Sequence, residues 1–267
     1  MGKNQENVIF CIDSDGCVMD TMSYKHELFF GPLAAEVFNI DEKKKFLEDW
    51  NRVNLYTKTR GINRFVGLYK ALDEVDYPNV SGLKQWLDTT PSLSNEALIK
   101  IIAENPSDIL ENTLRWSELV NKQISEYKGD LKAFVGVQKV LRELSKLGRV
   151  YVVSSANKAA VIDEWQNEGL ASFVDEFFCQ NKGKKEDIIK SVKSSNTDIG
   201  TIVMIGDSPG DLDAANSNDV LFYPILVNDE EKSWDNLLNI ELKFILNGEY
   251  FKKRQNILVE QFWKNLS

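Results

Sequence analysis

The run Val8-Ile-Phe-Cys-Ile12 is apolar at every position and ends in Asp13-Ser14-Asp15-Gly16. An amphipathic helix or a half-exposed strand would interleave polar residues. An unbroken run of this length, closed by a polar turn, fits a strand covered on both faces. Such strands form parallel sheets flanked by helices, and ligands gather at the carboxyl ends of those strands. Asp13 and Asp15 stand at such an end. Two apart, they would share a face of an extended chain, and their like charges need a cation, a shared proton or a bend. Gly16 permits the bend. A plain polar turn uses the same residue types, so the rest of the chain has to decide between the two.

From Thr21 to about Lys128 the apolar residues recur at three- and four-residue spacing, broken near Gly31-Pro32, Gly61, Pro78 to Gly82, Pro91 and Pro106. About a hundred helical residues are too many for one crossover between parallel strands. They are expected to form an inserted helical domain, residues 21–129, with residues 1–20 and 130–267 forming the α/β core. Gly129-Asp130 is the expected hinge. After it, Val137 to Leu147 has an apolar helical face closed by Gly148. Val150 to Val153 is a second buried strand, followed by a helix from Lys158 to Gly169. Phe177 to Cys179 is a short strand, and Lys185 to Val192 a helix. Thr201 to Ile205 is a further buried strand, followed by a helix over Leu212 to Ser217. Val220 to Val227 is a last strand, which Pro224 assigns to an edge. Residues 230 to 267 read as helix.

Of the 267 residues 43% are hydrophobic, enough for a sizeable core. A formal net charge of -9 argues against a nucleic-acid partner, which needs a basic face. Three cysteines, Cys11, Cys17 and Cys179, form no disulfide framework and suit a reducing, cytoplasmic setting. No apolar segment is long enough to suggest a membrane span or a secretory leader. The single histidine, His26, removes most Ser-His-Asp, Cys-His and multi-histidine zinc schemes.

Parallel strands would bring Asp13 and Asp15, Ser154 and Ser155, and Asp207 and Asp211 to one sheet edge. Carboxylates, hydroxyls and a lysine make poor packing there, but suit a phosphate and a magnesium ion. The set resembles the haloacid dehalogenase-like superfamily. Asp13-Ser-Asp-Gly resembles its first motif, and the apolar strand ending in Ser154 its second. Lys185, in Lys-Glu-Asp-Ile-Ile, resembles its third, and Gly206-Asp-Ser-Pro-Gly-Asp211 its fourth. The match spans roughly residues 7–20 and 131–228, and the insertion resembles the helical cap of the superfamily. The motif pattern is similar to that of its beta-phosphoglucomutase-like and phosphatase-like members.

The resemblance implies a Rossmann-like α/β core with a parallel sheet and an inserted all-helical cap. It implies a Mg2+-dependent phosphatase acting on a small soluble phosphomonoester, such as a sugar phosphate, through an aspartyl-phosphate. Asp13 would be the nucleophile and Asp15 the general acid and base. Asp13, the Asp15 carbonyl and Asp207 would hold Mg2+, with Asp211 as a ligand or an outer partner. Ser154, Ser155 and Lys185 would hold the phosphoryl oxygens, with Lys184 the next choice of lysine. Ser208 and Asp211 are also spaced as a helix capping box, and Asn157 as a helix cap.

Alternatives stay open: a phosphoglucomutase-like phosphotransferase, or a non-catalytic phosphate binder of the same fold. Asp15 speaks against cleavage of carbon-halogen or carbon-phosphorus bonds, because members with those activities lack an aspartate there. Asp20-Thr21 resembles the start of mutase-like members, but Lys25 stands where many carry a histidine, and His26 is one residue further on. His26 reads more simply as a packing residue. Arg60, in the basic loop Lys58-Thr-Arg-Gly-Ile-Asn-Arg64, is a candidate to close over an anionic substrate, the alternative being a solvated turn.

Overall fold

A computed structural model describes residues 8–127, 129, 131–197, 199–250 and 253–267. The described residues fall into two compact units, Met1–Met22 with Leu131–Ser267, and Ser23–Asp130.

The first unit is built on five parallel strands: β1 (Val8–Ile12), β2 (Arg149–Val153), β3 (Glu176–Phe178), β4 (Thr201–Gly206) and β5 (Leu221–Pro224). Their order is β3-β2-β1-β4-β5. β1 is apolar throughout, and β2 and β4 are apolar after their first residues, Arg149 and Thr201, because each face of the sheet is covered. On one face Val8, Phe10 and Ile12 pack with Val150, Val152, Val203 and Ile205 under the helices Val137–Leu147 and Lys158–Asn167. On the other, Ile9 and Cys11 pack with Tyr151, Ile202 and Met204 under Lys185–Ser195, Pro209–Asn216 and Lys253–Asn265. The two-residue alternation of strand side chains produces this division. β5 lies at an edge, as Pro224 requires, and is shorter than the apolar run Val220 to Val227 suggests. The segment after β5 is helical over Glu230–Asn236, Leu237–Glu241, Leu242–Leu246 and Lys253–Asn265.

The chain winds outward from β1 through β2 to β3, then returns to place β4 on the other side of β1. The direction therefore reverses between β1 and β4, and the crevice beyond their carboxyl ends is where an open α/β sheet receives a ligand. Asp13 follows β1 and Asp207 follows β4.

The second unit is helical, with segments from Met22–Tyr24 to Asp108–Glu126 and a core of its own. Aromatic rings dominate that core: Trp50 and Trp116 meet edge to face at 6.0 Å, and Trp116 Nε1 donates to the Phe30 carbonyl at 2.9 Å. His26 belongs to this packing. Its ring stacks on Phe30 at 4.8 Å, and its Nδ1 accepts from Trp50 Nε1 at 3.1 Å. Of the hinge residues, Asp130 lies outside the described residues.

Candidate active site

β1, β2 and β4 are each followed by a polar residue, Asp13, Ser154 and Asp207, and local hydrogen bonds shape the turn after β1. Asp13 N donates to the Ile205 carbonyl at 2.9 Å, carrying the β1–β4 pairing one residue past the strand. There the chain turns. The Ser14 carbonyl accepts from the N–H groups of Cys17, Val18 and Met19, and Gly16 takes φ 79°, a conformation glycine adopts without strain. The Asp13 carboxylate accepts from Ser14 N at 2.8 Å. Asp15 is partly exposed, and its Oδ1 accepts a short bond from the Thr21 hydroxyl. Thr21 is fully buried, which ties it to this loop.

The helix Lys185–Ser195 brings Lys185 into the crevice. Its Nζ lies 2.8 Å from Asp13 Oδ2 and 2.6 Å from Asp211 Oδ1. Lys184, the preceding residue, is exposed at the helix N-cap, so helical phase selects Lys185 of the pair. Burial alone would lower the Lys185 pKa, but the charges of Asp13 and Asp211 outweigh it and hold the ammonium above its ordinary value. Asp13 is pushed well above the usual carboxylate range. Burial is the main cause; Lys185 pulls the other way, and Asp211 and Asp207 push it further up.

Asp211 is fully buried and does two jobs. Its Oδ2 accepts from Ser208 N at 3.0 Å and from the Ser208 hydroxyl at 2.7 Å, closing a capping box at the start of Pro209–Asn216. Its Oδ1 receives Lys185. Gly206 makes room for this carboxylate, because a Cβ there would run into Asp211. Gly206→Ala is therefore expected to cost about 1–3 kcal/mol by overpacking and to lower Tm by roughly 2–10 °C. Thermal unfolding checks this; an unchanged Tm would mean that Asp211 steps aside without penalty.

Carboxylate oxygens of Asp13, Asp207 and Asp211 lie within 4.8 Å of one another, and all three residues are buried. Three carboxylates facing one ammonium leave an excess of negative charge that a divalent cation would offset. An all-oxygen donor set suits a hard ion, so the residues present fit a metal. Both oxygens of Asp211 are engaged, Oδ1 by Lys185 and Oδ2 by Ser208, and both oxygens of Asp13 are engaged as well, Oδ1 by Ser14 N and Oδ2 by Lys185.

Ser154 is buried at the end of β2, and its hydroxyl oxygen accepts from Ala156 N at 3.1 Å. Ser155 is exposed. Asn157 caps Lys158–Asn167 through the N–H groups of Ala159 and Ala160. Arg60 differs from the expectation of a mobile cation. It is buried within the helical unit, 3% exposed, and its Nη1 donates to the Leu55 carbonyl at 2.8 Å. Four residues on, Arg64 meets the Asn121 amide oxygen at 2.6 Å, the Ser117 hydroxyl and the Phe30 ring.

The parallel core with its crevice of carboxylates, lysine and serine defines an α/β enzyme of the hydrolase type. A family model described as haloacid dehalogenase-like hydrolase matches residues 80–223, more than half of the chain, and the chain belongs to that family. The matched span contains Ser154, Lys185, Asp207 and Asp211, but starts beyond Asp13 and Asp15. Among solved structures, the fold is similar to that of a predicted phosphoglycolate phosphatase from Haemophilus somnus. That protein is 12% identical, with 90% of this chain and 99% of that chain covered and a TM-score of 0.53. It is also similar to that of an archaeal beta-phosphoglucomutase from Pyrococcus, 17% identical, with 81% and 86% covered and a TM-score of 0.50. A search of curated proteins finds no match. Among the described residues no helix is long and apolar enough to cross a membrane.

Proposed function

We propose that the chain is a Mg2+-dependent phosphatase of a small soluble phosphomonoester, with Met1–Met22 and Leu131–Ser267 as the catalytic core and Ser23–Asp130 as a cap. The observation that carries this reading is the Lys185 bridge between Asp13 and Asp211 beside Asp207, at the reversal point of the sheet. Asp13 attacks phosphorus; the bond from phosphorus to the leaving oxygen breaks, and Asp15 gives that oxygen its proton. Thr21 orients Asp15 for both halves of the cycle. Asp15 then takes a proton from the water that attacks the aspartyl-phosphate, and phosphate leaves with Asp13 restored. Lys185, Ser154 and the residue 155 amide or hydroxyl hold the phosphoryl oxygens. Asp13, the Asp15 carbonyl and Asp207 would hold Mg2+, which when bound screens the anionic nucleophile from the anionic phosphate.

A phosphomutase would share the first half-reaction. The packing of His26 on Phe30 and Trp50 supports a structural role for the only histidine, and so favours hydrolysis. Three buried free thiols are in keeping with a cytoplasmic setting. The test is phosphate release from a panel of phosphomonoesters with Mg2+ and with a chelator. Release that the chelator abolishes is the expected result. No release from any substrate would sink the phosphatase reading, and release unaffected by chelation would remove Mg2+ from it.

A further inference from the structure

We propose that the indole N–H groups of Trp165 and Trp234 clamp the loop that carries Asp13 and Asp15, making both tryptophans positioning residues for the reaction. The inference rests on the aspartyl-phosphate reading above. Trp165 Nε1, from Lys158–Asn167, donates to the Ser14 hydroxyl at 2.9 Å. Trp234 Nε1, from Glu230–Asn236, donates to the Cys17 carbonyl at 3.0 Å. The two anchored residues bracket Asp15 and Gly16.

The loop has few other restraints from outside itself on these two groups. Its internal bonds converge on the Ser14 carbonyl, and Gly16 N reaches the Met19 carbonyl at 2.8 Å. The Ser14 hydroxyl and the Cys17 carbonyl are met by no backbone N–H among the described residues. Ser14, Cys17, Trp165 and Trp234 are all fully buried, so water does not take the place of an indole. A buried indole usually takes an acceptor, and core filling alone would leave the choice of acceptor arbitrary. Here both indoles, 151 and 217 residues from their acceptors, reach one four-residue loop. Pairing is not automatic in this chain: in the helical unit the Trp86 indole is buried with no acceptor among the described residues. The clamp also gives the helical segment after β5 a task, since Trp234 belongs to it.

The clamp holds geometry without touching substrate. Asp13 and Asp15 serve successive steps and must keep their separation while phosphorus changes partner. The loop is held at its two ends, by Asp13 N on the Ile205 carbonyl and by Phe134 N on the Val18 carbonyl, both at 2.9 Å, and the indoles fix the stretch between them about Gly16, the one residue there with a positive φ.

Trp165→Phe and Trp234→Phe keep an aromatic ring and remove the donor. Each is expected to lower kcat about tenfold per folded molecule, with KM within about twofold. Amide exchange over residues 14–19 is expected to rise about tenfold, with β4 protected as in the parent. If the phenylalanine variants do not fold, Ser14→Ala removes the acceptor without touching a ring and is expected to give the same two changes. In a folded double variant, Ser14→Ala with Trp165→Phe should be no worse than either alone. A lower Tm with kcat and loop exchange both unchanged would overturn the clamp and leave the indoles as core filling. If the parent releases no phosphate, the phosphatase reading falls, and the exchange measurement still decides the clamp.

Discussion

Asp13→Asn is expected to reduce phosphate release by about 10⁴-fold or more, while Tm stays close to that of the parent. The substitution preserves size, and the amide oxygen can still accept from Ser14 N, as Asp13 Oδ1 does. What disappears is the nucleophilic oxygen. The carboxyl is buried, and Asp211 and Asp207 press on it, so losing its charge relieves repulsion even as Lys185 gives up one partner. The two effects oppose one another in stability. Acid-quenched parent enzyme should carry phosphate on Asp13, and the variant none. Turnover within tenfold of the parent would show that the attack comes from elsewhere, with water as the first candidate.

The sheet and the acidic edge were legible because both faces of the sheet are covered, which leaves unbroken apolar runs in the sequence. β1, β2 and β4 each end in a polar residue of the crevice, and their parallel alignment brings Asp13, Ser154 and Asp207 to one edge. The insertion was legible through its length. Its interior was not, because helical spacing does not say which of two nearby arginines turns inward. Arg60 is buried and reaches a carbonyl five residues back inside the unit, whereas Arg64 is only half-buried and reaches the Asn121 side chain. Asp211 was ambiguous for a physical reason: a capping box and a site carboxylate use the same residue at the same spacing, and here one side chain does both. The indole contacts of Trp165 and Trp234 had no local signature, since their acceptors lie far away in the chain. The room for Asp211 at Gly206 also depends on a packing contact that spacing alone does not reveal.

Lys185→Met is expected to disable the site and destabilise the core together. Met fills much of the space of the lysine stem but leaves Asp13 and Asp211 facing each other with their shared cation gone. The lysine side chain is 12% exposed and that of Asp211 0%, so solvent offers little screening. Removing one member of a buried ion set costs about 3–5 kcal/mol, which in a chain of this size lowers Tm by roughly 6–20 °C. The loss should respond to metal in a particular way. With the ammonium gone the carboxylates carry more uncompensated charge, so Mg2+ should raise the Tm of the variant more than that of the parent. Adding Asp211→Asn removes one of the opposed charges and should restore much of the lost Tm without restoring turnover, because the cation that faces phosphate is still missing. A Tm within about 2 °C of the parent, with an equal response to Mg2+, would mean that the carboxylates are kept apart or protonated without Lys185. The ion triplet would then not be what holds this edge of the sheet together.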